Sequence, residues 1–385
     1  MIGIVITAYN RAESLKNLLQ SLSKLRLHPQ IDKITLVISI DNKGTEEVNR
    51  VANEFNWHYG EKKVIIHSEK KGLVKHFIWA GDQTEIFDQV IFLEDDLYVS
   101  PTLLYFVKPL IDYYIDKDEI AAASLYNPVL IEATGTKFYQ LEDGNDVFFI
   151  QHPYWGNVWF RNKWRIFKEF LATYTQADNS VLPTHIAAWD RSFKKIYVEF
   201  LIKTHKTVVY PRISLVTNNG DAGIHSGALY EYQSNIQLGM PQYKFTVPSL
   251  SFSNYDAYFE LYSSIIKKMN PCLERYDFET DINGIRHTIT KEFVLTSRPC
   301  EKAILSFTSL MKPTELGVIL DIRGNQRIVL CRTQDLIYTS QKYYRQRRYL
   351  DIRKNYHIGI LASFQITKLF FRETSRQIWK RLWKG

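Results

Sequence analysis

Cysteine is scarce in this chain: three residues in 385, at Cys272, Cys300 and Cys331. Their number is odd, they fall in the last third, and neither a CxxC pair nor a nearby histidine at zinc spacing accompanies them. That argues against a disulfide scaffold and against a zinc site, and it fits a reducing compartment. Also missing is any uninterrupted apolar run of the ~18 residues a transmembrane helix needs, so none is expected. The opening Ile2-Gly3-Ile4-Val5-Ile6-Thr7 lacks the basic flank and the length of a signal segment and reads as a buried strand. No internal repeat is found. With 45% hydrophobic and 23% charged residues, the composition excludes disorder, a collagen-like chain and a coiled coil. The length suits one large domain plus an appendage, with enough chain to bury a sizeable core.

Basic charge is nearly absent as a surplus from most of the chain. The formal charge is +8, yet 12 Lys/Arg against 2 Asp/Glu fall between Gln341 and Gly385, which leaves residues 1–340 slightly acidic. The first half alternates β-rich runs with amphipathic helical patterns, the habit of an α/β domain with a mostly parallel sheet. Strands are expected at Ile2–Thr7, Ile34–Ile40, Val64–His67, Gln89–Leu93 and Ile120–Ser124. Leu15, Leu18, Leu19 and Leu22 give a helix, and Asn10 with Glu13 has capping-box spacing. Further helices are expected over Thr45–Asn56, Leu73–Glu85 and Pro101–Tyr114, the last with proline in its first turn.

From about Lys137 to Pro211 the pattern becomes irregular and aromatic. It includes His152-Pro-Tyr-Trp-Gly-Asn-Val-Trp159, a helical stretch starting at Ala187 and a strand at Val208–Pro211. The glycine- and asparagine-rich Thr217 to Gly227 reads as a mobile loop. Later β-like runs are Glu292–Thr296, Ala303–Phe307, Gly317–Ile322 and Arg327–Cys331. The expected organisation is residues 1–264 as an α/β domain, split near 125 into two halves, then a β-containing region over 265–340 and a basic tail over 341–385.

In open parallel sheets ligands bind beyond the carboxyl ends of the strands. The residues just there are Ala8-Tyr9-Asn10-Arg11, Asp41-Asn42-Lys43-Gly44 and Glu94-Asp95-Asp96. An acidic triplet is most often a solvated turn. This one follows the buried run Val90-Ile-Phe-Leu93, where massed negative charge is unfavourable unless a cation compensates it. Oxygen ligands suit Mg²⁺ or Mn²⁺, ions that bridge a carboxylate to substrate phosphates, so a diphosphate-bearing ligand is expected.

Thr7-Ala-Tyr-Asn-Arg11, Ser39-Ile-Asp41 and Phe92-Leu-Glu-Asp-Asp96, in this order, resemble the nucleotide-sugar-binding half of A-fold (GT-A) glycosyltransferases. The ordered set, over about residues 1–230, looks like the family-two bacterial enzymes, and its acidic triplet is similar to that of N-acetylglucosaminyltransferase I. The resemblance implies a nucleotide-diphospho-sugar transferase fold, Rossmann-like, with a smaller C-terminal region. It implies Thr7, Ala8, Tyr9, Arg11 and Asp41 around the nucleotide, Asp41 accepting from the base edge. It places His76 on the donor side, Asp96 on the metal, and Glu94 and Asp95 toward ribose and donor sugar. For His76 the competing reading is a helix histidine facing solvent or core.

Trp189-Asp190 resembles the tryptophan and acid that precede the acceptor side, which makes Asp190 the candidate base of an inverting transfer. Its competitor is a carboxylate at a helix N-terminus. Arg191 stands where N-acetylglucosaminyltransferase I has a second acid. Trp155 and Gly156 are candidates for the floor of the sugar site, against plain core filling. The loop around His225 resembles the segment that closes over a bound diphosphate, against an ordinary flexible loop.

On a helical wheel over Glu373–Lys384, Ile378, Trp379, Leu382 and Trp383 oppose Arg376, Lys380, Arg381 and Lys384. That is the composition of a helix lying in an anionic membrane interface. A helix docked on its own domain or on a twin subunit is the other reading. No RNA-binding motif is present, so no nucleic-acid partner is expected. The whole reads as a cytoplasmic enzyme, peripheral on the inner face of the plasma membrane, with a second copy of the chain as a candidate partner in a homo-oligomer. It would be a metal-dependent, inverting glycosyltransferase using Mn²⁺ or Mg²⁺ and a nucleotide-sugar, most simply a UDP-sugar. A glycan or lipid-linked oligosaccharide in surface polysaccharide assembly would be its acceptor. The alternatives are a sugar nucleotidyltransferase, disfavoured because Ala8 to Arg11 holds no glycine for a triphosphate, and a non-catalytic membrane adaptor on a nucleotide-binding fold.

Overall fold

The structure is a computed structural model that describes residues 1–190, 192–218, 232–324, 327–337, 349, 353, 358–368 and 370–371. Four parallel strands, β1 (Ile2–Ala8), β2 (Thr35–Ile40), β3 (Lys62–Ile66) and β4 (Gln89–Glu94), form one side of a nine-stranded, mostly parallel sheet. Outward from β4 the sheet continues through Asn157–Phe160, Ile120–Ser124, Thr207–Pro211, Val147–Ile150 and Asn254–Tyr255. Asn157–Phe160 runs antiparallel to both its neighbours, and Val147–Ile150 runs antiparallel to Thr207–Pro211.

β1 and β4 are buried on both faces, which is why their sequences are continuous rather than alternating apolar runs. Ile4, Ile6, Ile91 and Leu93 face one apolar layer with the helices α1 (Ala12–Leu22), α2 (Glu46–Glu54) and Leu103–Tyr114. Val5, Val90 and Phe92 face a second layer with α3 (Gly72–Asp82), Arg161–Thr173 and Phe193–Lys203. Leu15, Leu18, Leu19 and Leu22 are all buried, as their spacing requires.

Several expected boundaries fail for identifiable reasons. No side chain caps α1, because Arg11 occupies its N-cap position and turns its guanidinium to the acids instead. Pro101 precedes the helix at Leu103–Tyr114, and the proline inside it is Pro109. The helix expected from Ala187 is two: Thr184–Ala187 ends there, and the next starts at Phe193 because Ser192 accepts from the Lys195 N–H. Gly317–Ile322 is not a strand, since Leu316–Ile319 is a helical turn.

Residues 278–332 form a four-stranded sheet in the order Phe278–Asp281, Phe293–Thr296, Ile328–Arg332, Ala303–Phe307. Phe278, Leu295, Phe307, Ile328 and Leu330 belong to the same buried cluster as Val5, Phe92 and Trp159. Among the described residues no helix is long and apolar enough to cross a membrane.

Candidate functional site

Register places the polar clusters side by side. Thr7 pairs with Ser39 of β2 and with Glu94 of β4, so these three residues form one row across the carboxyl ends of the strands. Asp41 and Asp96 each follow that row by two residues, on either side of β1. At ~4.8 Å per strand the backbones of Ser39 and Glu94 stand about 9.5 Å apart across β1. Trp155 and Gly156 directly precede Asn157, which opposes Phe92, so they reach the same edge. Asn218 pairs with Leu97, and Tyr232 packs its ring against Trp155. His225 lies outside the described residues.

Charge at this edge is balanced by the protein itself. Arg11 donates to Asp96 Oδ2 at 2.7 Å and forms a second, very short ion pair with Asp95. The expected need for a compensating cation is thus met in part by Arg11. Burial, then Asp96 and Asp95, pushes Glu94 up to about 8. Burial also raises Asp95 to about 6 against the pull of Arg11, and the Tyr9 N–H donates to it. Asp96 keeps one unanswered atom: its Oδ1 is buried with no hydrogen-bond partner among the described residues. A buried carboxylate oxygen without a donor fits a divalent cation, and Asp96 with its neighbouring acids has the all-oxygen character Mg²⁺ and Mn²⁺ require.

Asp41 is a buried carboxylate held by backbone. Its Oδ1 accepts from the N–H groups of Asn42 and Lys71 at 2.8 and 2.7 Å, and its Oδ2 accepts from Gly72 at 2.9 Å. Burial would raise its pKa, but these bonds outweigh it and hold the group below the usual carboxylate range. Asp41 therefore ties the end of β2 to the start of α3. His76 is buried, with Nε2 2.7 Å from Ser39 Oγ, and burial lowers it to about 4. The core-facing alternative describes it, one row below Asp41.

Trp155 packs on Tyr126, and its carbonyl accepts from Ser124 Oγ. Gly156 is glycine for a reason other than an approaching sugar: its φ is +65°, and a Cβ there would meet Val216 Cγ2 at 2.8 Å. Asp190 is exposed. It precedes the capping Ser192 by two residues and so stands outside the first turn of the following helix, which weakens the helix-dipole alternative.

Lys194 escaped the sequence reading. It is a half-buried ammonium 2.7 Å from Glu132 Oε2 and 4.0 Å from the Tyr154 ring centroid, and it acts electrostatically on Glu94. It links the acid triplet to a second polar group, Glu132, His152 and His185. Nothing local in Phe193-Lys-Lys-Ile196 marks which lysine turns inward. A surface depression lined by Met1, Gln30, Asp88, Lys108 and Arg161 lies at the amino ends of the strands and holds none of these groups.

The sequence model of glycosyl transferase family 2 matches residues 3–192, a span that contains the strand ends, the acid triplet and Asp190. Over residues 3–192 the chain is similar to glycosyl transferase family 2. The similar solved structures include TarS 1-349 of S. aureus, at 13% identity, covering 56% of this chain and 59% of that one with a TM-score of 0.37. The same protein in complex with UDP-GlcNAc gives 13% identity, 58% and 60% coverage and a TM-score of 0.41. The mannosyltransferase PcManGT from Pyrobaculum calidifontis, in complex with GDP-Man and Mn²⁺, gives 9% identity, 44% and 46% coverage and a TM-score of 0.31. This chain spans about three fifths of the length of the TarS 1-349 structures. No curated protein matches it in sequence. The family 2 segment ends just ahead of the helix that carries Lys194.

Proposed function

We propose that this chain transfers a sugar from a nucleotide-sugar to a hydroxyl of a glycan or lipid-linked oligosaccharide, with inversion at the anomeric carbon, in surface polysaccharide assembly. The observation that carries this reading is the shared row of Thr7, Ser39 and Glu94. It sets Asp41 on one side of β1 and the Arg11–Asp95–Asp96 group on the other, so that a nucleoside diphosphate laid across the end of β1 would meet both. Asp41, anchored by three N–H groups, faces the base. Arg11 is placed to leave its carboxylates for a diphosphate, with Thr7, Ala8 and Tyr9 as the floor beneath. Asp96 would hold Mn²⁺ or Mg²⁺ through its unpartnered Oδ1, and the ion would supply electrostatic stabilisation of the leaving diphosphate. Asp190, exposed and outside the helix it precedes, takes the proton from the acceptor hydroxyl on the opposite face of the sugar. A UDP-sugar is the donor we favour. TarS has been solved with UDP-GlcNAc and PcManGT with GDP-Man, so both nucleotides belong in the test.

Attachment to the inner membrane surface is part of the proposal. The helical residues 360–368 and their continuation expose Ile360, Leu361, Phe364, Phe370 and Phe371 immediately before the basic, tryptophan-bearing segment 373–384, which itself lies outside the described residues. Apolar side chains beside clustered Lys and Arg suit an anionic lipid surface.

Calorimetry with a panel of UDP- and GDP-sugars, with and without Mn²⁺, tests the reading. Metal-strengthened binding of one donor is expected, abolished by Asp96→Asn. Asp190→Asn should bind donor as the wild type does and lose transfer. Failure of every nucleotide-sugar to bind would overturn the proposal, and unchanged transfer by Asp190→Asn would remove the base.

A further inference from the structure

Behind the donor edge, three side chains from separate segments converge. Glu132 sits on the hairpin between Leu130–Ile131 and Thr136–Lys137, His152 follows the strand Val147–Ile150, and His185 lies in the short helix Thr184–Ala187. One ligating atom from each lies within 4.8 Å of the others. The Nε2 atoms of His152 and His185 are both buried and have no hydrogen-bond partner among the described residues. His152 is wholly buried, its Nε2 3.4 Å from Glu132 Oε2 and its Nδ1 3.1 Å from the Pro153 carbonyl oxygen.

Proton accounting makes this arrangement informative. Both neighbours of the His152 ring are acceptors, and a neutral imidazole has one N–H to give. Whichever nitrogen carries it, the other aims a lone pair at an oxygen. The conflict is relieved by a second proton on the ring, by a proton on the Glu132 carboxyl, or by a cation between Nε2 and the carboxylate. An imidazolium here would be a second cation beside the Lys194 ammonium, which already donates to the same Oε2. An Nδ1–H donated to a backbone carbonyl is also the arrangement that orients Nε2 as a metal ligand.

We propose that Glu132, His152 and His185 form a binding site for a divalent transition-metal ion of the zinc class, separate from the acid triplet. Two imidazoles and one carboxylate with a position left open suit zinc-like ions better than Mg²⁺, which prefers oxygen alone. Ligands ~2.1 Å from an ion lie at most ~4.2 Å apart, so side-chain adjustment alone closes the group. Lys194 is the competing cation. On metal binding it would give up Glu132 Oε2 and turn toward Glu94. Because the three ligands come from distant segments, no sequence spacing announces the site, and the expectation drawn from the cysteines does not reach it.

The test uses the full chain, stripped by chelator and loaded with Zn²⁺ or Co²⁺. One tightly held equivalent per chain is expected, with visible Co²⁺ bands of four-coordinate nitrogen and oxygen ligation. Both should persist in Asp96→Asn. Glu132→Gln and His185→Ala, checked by circular dichroism for native fold, should weaken Zn²⁺ by at least roughly a hundredfold. Should either variant fail to fold, the Co²⁺ spectrum of the wild-type chain decides alone. No bound equivalent, a six-coordinate oxygen spectrum, or binding lost only in Asp96→Asn would overturn the site while leaving the sugar-transfer reading intact.

Discussion

Arg11 stands between two carboxylates that would otherwise repel each other at the end of a buried strand. Asp95 is almost fully buried, so removing its partner leaves an uncompensated charge in the interior. Arg11→Met should therefore destabilise the fold by about 3 kcal/mol in denaturant titration, and Asp95→Asn added to it should recover part of that loss. Glu315 gives a pH signature far from the site. Burial raises its pKa from 4.5 to about 7, so between those values the folded chain keeps a proton that the unfolded chain releases. That favours the folded state at low pH, and the advantage is lost as pH climbs through the window. Glu315→Gln should match the wild type near pH 4 and exceed its stability by up to about 3 kcal/mol at pH 8. Equal pH profiles in the two proteins would refute the assignment.

At the scale of elements, the segment from Gly156 to Ser192 separates structure from chemistry. Gly156→Ala forces a left-handed backbone and a clash with Val216, so it should cost about 2 kcal/mol in thermal unfolding, partly relieved by Val216→Ala. Ser192→Ala removes the cap of the helix Phe193–Lys203 and should cost about 1 kcal/mol, whereas Asp190→Asn should leave stability unchanged. The strands and α1 were legible because their signals are local: β-branched runs for the buried strands, leucines at helical spacing for α1. The strand-end residues were legible because each follows its strand directly. The capping box of Asn10 and Glu13 misled, since the acids drew Arg11 into the cap position. The left-handed backbone of Gly156 was not legible because its φ and its neighbour Val216 are tertiary facts. Lys194, Glu132, His152 and His185 were invisible as a group because only the closed sheet brings them together.

For the whole molecule, the proposed attachment to a lipid surface is the part most directly open to measurement. Phe364→Asp combined with Phe370→Asp should abolish sedimentation with vesicles rich in anionic lipid while leaving donor affinity unchanged, because none of the residues assigned to the donor lies in that exposed apolar segment. Retained sedimentation would move the membrane contact elsewhere. The C-terminal sheet has a different bearing. Phe278, Leu295, Phe307 and Leu330 close the same apolar layer that backs the acid-bearing strand. Shortening the gene to its catalytic-looking half would strip the inner wall from that layer, and the product would precipitate rather than work. Exchanging this sheet for a relative's, as one trades interchangeable modules, would demand recutting the face behind β4 as well.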